Sequence, residues 1–532
     1  MKRWIAVLAA LSAGVAVASS SAVHAQAPRS GGVLTLMQRE ELPQGFSIHE
    51  TSTIASVWPA SPCFNNLVYF DPMKPAESAD TIVGELAEKW SWQDGYRNLV
   101  FLLRKGVKWH DGQPFTSKDV KFTFDMVREA PDAQGKLRLN PRKDWYANVE
   151  AIEAPDPYTV VFRLKRRQPS ILMMLASGQS PVYPAHVPVA EQRNHCVGTG
   201  PFKFKEWRRG EFVEYVKNPD YFVKGRPYLD GLKYLIIAER GTRTAALQAG
   251  RLDAAGPGET TKAIADQLKA AIPQMVITRV GSLTSPNLLI NHTRAPFSDA
   301  RVRRAVDLAV DRDGFIKGVL QGAGVVGAAM APRPYGWWGI GESDLVKIFG
   351  KPDGRKAAAR KLLAEAGYSA AHPLRFETHT RAIATYVDFA SYVVNELKQV
   401  GAEVTLKQVD SVQWYGMLTR REFQLGINIS GYGVDDPDAI LFENYACGSP
   451  RNYTNYCDES VSRAIDEQSQ EPDPQKRLAQ VQQIQRRLAE AEARPTIGWG
   501  IDHFAQWPHV KNLVPHHSLY SFGRMQEVWL DK

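Results

Sequence analysis

The charged residue with the clearest binding chemistry is Arg381, which follows a predicted strand at 374–378 and precedes a predicted helix at 385–400. An arginine at this position can hold an anion, because its planar guanidinium matches both oxygens of a carboxylate and a helix N-terminus favours negative charge. The alternative is an ordinary surface ion pair. The sequence therefore indicates a candidate anion-binding residue.

A second group of candidates follows the predicted strand 423–429. Tyr432, Asp435 and Asp436 come directly after it, and the two acids can bind a cationic group. The alternative is a structural turn built on Asp436 and the Pro-Asp pair that follows it, since such sequences initiate turns. Trp414 lies between two predicted elements, where it either lines a cleft or packs in the core.

Motifs for catalysis or cofactor binding are weak by comparison. The chain has no G-x-S-x-G, no phosphate-binding G-x-x-x-x-G-K-[ST] and no H-E-x-x-H sequence. Residues 322–327 match G-x-G-x-x-G but follow a predicted helix and run into Pro332, so we interpret them as a loop. His110 and Asp111 fall in a predicted hairpin turn. No nucleophile, base and orienting group occur together, so the sequence predicts a binding protein without a cofactor, not an enzyme.

The elements that position Arg381 and the acids form a regular alternation. Strands are predicted at 374–378, 404–409 and 423–429, with helices at 385–400 and 412–419. A β-α-β-α-β order indicates an α/β fold with a parallel sheet, and ligands of such sheets bind outside the carboxyl ends of the strands. Both groups of candidates are predicted at that edge. The region from about 72 to 190 instead reads as a compact α+β unit.

Composition and charge limit the class of protein. The 532 residues include 65 Lys and Arg against 57 Asp and Glu, a formal charge of +8, and the length suggests about three domains. The basic residues are spread along the chain, with the densest runs at 165–167 and 208–209. Because nucleic-acid binding requires clustered basic charge, no nucleic-acid partner is expected.

The N-terminus predicts export. Met1-Lys2-Arg3 is followed by an apolar stretch at 4–17 and by small residues around Ala25, the pattern of a secretory signal peptide. We assign residues 1–27 to this signal. The apolar stretch is shorter than the roughly 20 residues that span a bilayer, so a cleaved, soluble protein outside the cytoplasmic membrane is expected.

Four cysteines in an oxidising compartment allow three disulfide pairings. Cys447 and Cys457 are ten residues apart in a loop rich in Gly, Ser, Pro and Asn, and we predict that they pair. Cys63 is then left to pair with Cys196. The absence of a Cys-x-x-Cys sequence and of a histidine at ligand spacing beside any cysteine argues against a metal site.

Four groups of motifs occur in order over nearly the whole mature chain. They are GELAEKW (84–90) with FLLRKGVKWHDG (101–112), GTGPF (198–202), PFSD (296–299) with RVRRA (301–305) and AVDR (309–312), and the segment 358–368, which ends in LLAEAGY. Together these motifs resemble those of the periplasmic solute-binding proteins of ABC importers of the peptide/nickel type, bacterial extracellular solute-binding family 5.

The resemblance implies a two-lobed, type II-like clamshell with an extra α+β subdomain. Lobe I would comprise 28–71, 190–283 and 500–532, the accessory subdomain 72–189, and lobe II 284–499. Strands near 276–280 and 496–499 would cross between the lobes as a hinge. Closure would bury the solute, and the closed form would dock on a membrane permease.

The resemblance also implies roles for individual residues. Arg381 matches, within one residue, an arginine that holds the peptide carboxylate in dipeptide-binding members. The acid that holds the peptide ammonium in those members corresponds to Gly433. Either Asp435 takes that role through a shifted loop, or the solute lacks a free amino group. A lobe I segment that lines the cleft corresponds to Thr51, Ser52 and Thr53.

These features predict a monomeric periplasmic receptor that captures a peptide-like small molecule and delivers it to the permease of an ABC importer. Three alternatives stay open. They are a receptor for a non-peptide solute, such as an oligosaccharide, an opine-like conjugate or a metal chelate; an extracytoplasmic sensor; and a secreted hydrolase.

Overall fold

The computed structural model describes residues 27–532. The predicted signal peptide lies outside this range except for Ala27. None of the helices in the described range is long and apolar enough to cross a membrane. The strands are β1 Val33–Gln38, β2 Val68–Phe70, β3 Ile82–Gly84, β4 Ala87–Gln93, β5 Asn98–Leu103, β6 Val149–Asp156, β7 Thr159–Leu164, β8 Phe202–Arg208, β9 Phe212–Lys217, β10 Gly231–Ile236, β11 Val276–Gly281, β12 Thr284–Ile290, β13 Gly324–Val325, β14 Arg375–Arg381, β15 Glu403–Val409, β16 Leu425–Gly431, β17 Trp499–Gln506, β18 Val510–Lys511 and β19 Trp529–Leu530.

Helices lie in most of the longer segments between these strands. They are α1 Ile54–Ala60, α2 Ser117–Val127, α3 Ile171–Ala176, α4 Arg240–Gln248, α5 Lys262–Ala271, α6 Ala300–Ala309, α7 Arg312–Gly314, α8 Glu342–Phe349, α9 Pro352–Glu365, α10 Ala384–Lys398, α11 Ser411–Arg420, α12 Pro437–Tyr445, α13 Glu459–Ser469 and α14 Pro474–Glu490.

Two four-stranded sheets lie in the N-terminal half, beside the short β2-β3 pair. One has the order β1-β10-β9-β8, with β1 parallel to β10, so it joins the first strand to strands about 170 to 200 residues later. The other, β4-β5-β7-β6, is antiparallel and packs against α2. Thr116 caps α2, and the Asp119 carboxylate accepts from the Thr116 N–H at 2.8 Å. This reciprocal capping explains why the helix begins at Ser117.

The sheet of the C-terminal half has the order β12-β16-β14-β15. β14 pairs in parallel with both β15 and β16, which confirms the predicted parallel α/β arrangement, and β12 adds an antiparallel edge that the alternation did not predict. α10 packs on these strands through the buried Phe389, Val393 and Leu397. Because β14 continues three residues beyond the predicted strand, Arg381 is its last residue.

Two crossover strands connect the halves. β11 pairs antiparallel with β17 along its whole length, from Val276 opposite Gln506 to Gly281 opposite Ile501. The second crossover therefore lies later than the predicted 496–499. Thr496 instead forms a bridge with Asn287 of β12, so the chain at that point still belongs to the C-terminal sheet. β13, within the predicted loop 322–327, adds a short antiparallel pairing to β17.

Both predicted disulfides are present. Cys447 pairs with Cys457 across 10 residues, and Cys63 pairs with Cys196 across 133 residues. The second bridge joins the chain just before the antiparallel β4–β7 unit to the chain just after it. Cys63 and Cys196 are buried, whereas Cys457 is exposed.

Candidate functional site

A cavity of about 300 Å³ lies between the two halves of the molecule and takes its walls from both. The N-terminal half and the C-terminal segments contribute one wall, the sheet of the C-terminal half contributes another, and β17 contributes a third. Its polar and charged wall residues include Arg39, Ser52, Thr53, Arg240, Thr260, Lys262, Arg381, Tyr386, Asp388, Tyr415, Asn428, Ser430, Arg451, Tyr453, Asp502 and Tyr520. A solute in this cavity would contact both halves at once.

Arg381 lies in the wall of this cavity at the carboxyl end of β14. Its Nη1 donates to the Tyr386 hydroxyl at 3.1 Å, its Nε and Nη2 donate to Ser411 Oγ, and its Nη2 also donates to Glu40 Oε1 at 2.6 Å. The guanidinium carbon lies 4.9 Å and 5.5 Å from the ring centres of Tyr386 and Tyr415. Four of its five N–H groups are thereby used, which leaves one on Nη1 for a solute.

Glu40 follows β1 in the N-terminal half, so its contact with Arg381 joins the two halves of the molecule. The Glu40 carboxylate also pairs with Arg39 at 3.3 Å and accepts from Ser411 Oγ at 2.5 Å. Burial acts to raise the pKa of Glu40, but Arg381 and Arg39 together hold that pKa below its ordinary value. In this structure the carboxylate held by Arg381 therefore belongs to the protein itself.

A second ion pair joins the halves at the edge of the cavity. Arg240 at the start of α4 donates to Asp388 on α10 at 2.9 Å and to Thr385 at 3.1 Å. The Arg240 and Asp388 side chains are 28% and 52% exposed, and an exposed pair contributes little to stability. This pair joins the start of α4 to α10, whereas the buried pair of Arg381 and Glu40 joins the end of β14 to the segment after β1.

Of the three lobe I candidates, the structure places two in the cavity wall. Ser52 and Thr53 line it, and Thr53 also caps α1 by accepting from the Ala55 N–H. Thr51 is buried behind them: its hydroxyl donates to Gln44 Oε1 at 2.9 Å, and its carbonyl accepts from Arg142. The structure therefore separates Thr51 from the cavity.

Gly433 lies outside the cavity, against the β4–β7 unit. A Cβ atom at this position would lie 2.5 Å from Gln179 Oε1, 2.8 Å from Ser177 Oγ and 2.9 Å from the Trp145 ring. A larger side chain would collide with these atoms. The structure therefore leaves no room for an acid at the place where the resemblance implies one.

Tyr432 and Trp414 also lie outside the cavity. The Tyr432 hydroxyl accepts from the Ala331 N–H at 3.3 Å, and its ring packs edge-on against Trp499. Trp414 is fully buried in a small core with Leu289 and other apolar side chains. For Trp414 this is the core position that the sequence left open as an alternative.

The two acids after β16 contact other groups of the protein and do not line the cavity. Asp435 Oδ2 accepts from the Trp337 N–H at 3.2 Å, and burial raises the pKa of Asp435 to about 7. Asp436 caps α12 by accepting from the Asp438 N–H and pairs with Arg477 at 2.8 Å. The structure thus does not bring these acids together with Arg381, and Asp436 forms the turn that was the alternative.

The cavity wall contains two acids that the sequence did not indicate, Asp388, which pairs with Arg240, and Asp502. Asp502 lies on β17, and among residues 27–532 it forms no ion pair, although Arg381 and the other cationic wall residues each have an acidic partner. Burial raises the pKa of Asp502, and the Ser282 hydroxyl offsets only part of this effect, so the resulting pKa is about 6. The sequence signal that could have indicated Asp502 is that it is the single acid in an otherwise largely apolar strand.

The raised pKa of Asp502 predicts a pH-dependent stability. Between about pH 4 and pH 6, Asp502 is protonated in the folded chain and ionised in the unfolded chain. The free energy of unfolding therefore falls as the pH rises through this window, with the full loss present above about pH 6 and none below about pH 4. We expect Asp502→Asn to raise the free energy of unfolding by up to roughly 3 kcal/mol at pH 7 and to leave it unchanged at pH 4. Urea unfolding of the ligand-free protein at both pH values measures this, and an equal effect at both would contradict it.

The causes of the raised pKa of Asp502 are burial, which raises it, and the Ser282 hydroxyl, which lowers it. Arg279, Asp266 and Lys262 influence the pKa of the next residue, His503, whose side chain points to the opposite face of the strand.

Among residues 27–532, the one cluster with metal-ligand spacing is Cys447, Cys457 and Glu459. Both of its sulfurs are joined in the disulfide, so they are not available as thiolate ligands.

Comparison with known proteins adds the family. The model of the Bacterial extracellular solute-binding proteins, family 5 Middle, matches residues 81–452, more than half of the chain. The oligopeptide-binding protein AppA of Bacillus subtilis (strain 168) is 26% identical over 548 residues, which cover 99% of this chain and 96% of that protein. The di/tripeptide-binding protein 2 of Pseudomonas aeruginosa (strain UCBPP-PA14) is 27% identical, over 89% of this chain and 90% of that protein.

A solved structure shows the same fold. The structure of AppA from Bacillus subtilis in complex with a nonapeptide superposes with a TM-score of 0.82 at 24% sequence identity, covering 95% of this chain and 100% of that chain. The fold is accordingly the two-lobed α/β clamshell expected from the sequence. With the family match over residues 81–452, this chain belongs to the bacterial extracellular solute-binding proteins, family 5.

Proposed function

We propose that this protein is the periplasmic solute-binding component of an ABC importer, and that it captures a peptide or peptide-like small molecule and delivers it to the membrane permease. The observation that carries the proposal is the cavity between the halves, whose wall combines Ser52 and Thr53 with Arg381 and Ser430. The names of the relatives, an oligopeptide-binding and a di/tripeptide-binding protein, support a peptide-like solute.

The cavity suits a short solute with several polar groups. Its volume of about 300 Å³ is at the lower end of the range for small-molecule sites. Hydroxyl and amide side chains such as Thr53, Asn428 and Ser430 can bind the amide and carbonyl groups of a peptide backbone. The free N–H of Arg381 supplies a donor for its carboxylate.

Capture would work by closure of the lobes. We assign 28–71, 190–283 and 500–532 to lobe I, with 72–189 as its accessory subdomain, and 284–499 to lobe II. A solute that contacts both lobes favours the closed arrangement over the open one, because only the closed one provides both sets of contacts. β11 and β17 are the strands about which the lobes would move.

Residues 1–27 would direct export and be removed. The mature protein would act as a monomer without catalytic activity. The scattered basic residues and the buried, paired arginines of the cavity support a small-molecule partner and no nucleic acid.

Native mass spectrometry of the protein purified from its own periplasm tests the proposal, since a solute enclosed between the lobes can survive purification. We expect a bound peptide-like mass and loss of uptake of that solute in a strain lacking the protein. A bound sugar, opine-like conjugate or metal chelate would contradict the peptide assignment. Unimpaired uptake with an altered transcriptional response would favour a sensor, and turnover of the bound solute would favour a hydrolase.

A further inference from the structure

Asp502 occupies an unusual place in the cavity wall. It lies on β17, opposite Val280 of β11, so it belongs to the crossover strands and not to the loop after β16. Its Oδ2 atom is buried and has no hydrogen-bond partner among residues 27–532. An ionised carboxylate in such surroundings is unfavourable unless a cation pairs with it.

The cations of the cavity do not fill that role. The wall contains five of them, and each pairs with an acid of its own: Arg39 with Glu259, Arg240 with Asp388, Lys262 with Asp266, Arg381 with Glu40, and Arg451 with Glu443. Asp502 is thus the charged wall residue of the described chain that lacks a partner. A cation from outside the protein would complete the set of pairs.

We propose that Asp502 binds a primary ammonium group of the solute, namely the amino terminus of a peptide-like molecule. This inference rests on the proposed function, because it names the chemistry of the solute captured in the same cavity. A metal ion fits less well, because Asp502 offers a single carboxylate. The one group with metal-ligand spacing among residues 27–532 does not include Asp502.

The surroundings of Gly433 and Asp435 support Asp502 as the acid. The position of Gly433 is filled by Gln179, Ser177 and Trp145. Asp435 already accepts from the Trp337 N–H outside the cavity. A solute with a free amino group in the cavity can therefore contact Asp502 but neither Gly433 nor Asp435.

The test uses two peptide libraries and the full mature protein. Both libraries contain tripeptides and tetrapeptides of Ala, Val, Leu, Ser and Phe, one with free amino termini and one with acetylated amino termini. Native mass spectrometry identifies the bound peptides, and calorimetry measures the best binder and its acetylated form. We expect the free form to bind at least about 100-fold more tightly, and Asp502→Asn to reduce this ratio to within a few-fold.

Asp435→Asn is the matched control, because Asp435, like Asp502, is a half-buried acid with a raised pKa but lies outside the cavity. We expect this variant to keep the preference for free amino termini. A preference lost in Asp435→Asn but kept in Asp502→Asn would overturn the inference. Equal binding of both libraries by the wild type would overturn it while leaving the proposed function intact. Binding of neither library would contradict the proposed function and the inference with it.

Discussion

Replacing Arg381 with alanine is expected to weaken solute binding by about 2 to 5 kcal/mol, which is a roughly 30-fold to several-thousand-fold rise in Kd. The guanidinium is 1% exposed, holds Glu40 from the other half of the molecule, and keeps one N–H for a solute. Without it, Glu40 would remain largely buried, with Arg39 as its remaining cation and the Ser411 hydroxyl as a donor. Calorimetry with a peptide identified by native mass spectrometry measures the loss.

Two variants separate the possible reasons for that loss. Arg375→Ala, at the exposed start of the same strand, removes a pair with Glu403 in which both side chains are more than half exposed, so it should change affinity little. Glu40→Gln removes the contact between the halves but leaves Arg381 in place. If Arg381 binds the solute carboxylate, Glu40→Gln should preserve affinity. An equal loss in Glu40→Gln would show that Arg381 acts by holding the halves together, and unchanged affinity in Arg381→Ala would contradict both roles.

Removing the Cys63–Cys196 disulfide is expected to cost about 5 kcal/mol of unfolding free energy, against about 3 kcal/mol for Cys447–Cys457. The difference follows from the separations of 133 and 10 residues, because a longer closed loop restricts the unfolded chain more strongly. The long bridge also joins the chain segments on either side of the β4-β5-β7-β6 sheet. Urea unfolding of the two double alanine variants, followed by tryptophan fluorescence, measures the order of the two effects.

Mild reduction provides the control for these variants. Cys63 and Cys196 are buried, whereas Cys457 is exposed, so a low concentration of a reductant should open the short bridge first and reproduce only the smaller loss. A larger loss from the short bridge, or equal losses from both, would contradict the loop-closure explanation.

Much of the architecture near the cavity follows from local sequence patterns. Alternating apolar segments and helical periodicity between residues 374 and 429 predict the parallel sheet that the structure contains, because each pattern records which face of an element is buried. The same patterns place Arg381 at the carboxyl end of a strand. The short loop between Cys447 and Cys457 similarly specifies its own disulfide, since the two residues are never far apart in the chain.

The partners of the candidate residues depend on contacts between distant segments. Arg381 meets Glu40 across 341 residues, and Gly433 is enclosed by Ser177 and Gln179, which lie far from it in the sequence. Nothing in the local sequence of 431–438 distinguishes an acid that faces a cavity from one that caps a helix, and there the expectation and the structure differ.

The sequence by itself therefore determined the family resemblance, the parallel sheet and the strand end that carries Arg381. Tertiary structure alone decided that Asp502, and not an acid after β16, faces the cavity. The physical reason is that periodicity encodes whether a side chain is buried but not what it is buried against. That second property is set when β17 pairs with β11 and the two lobes enclose the space between them.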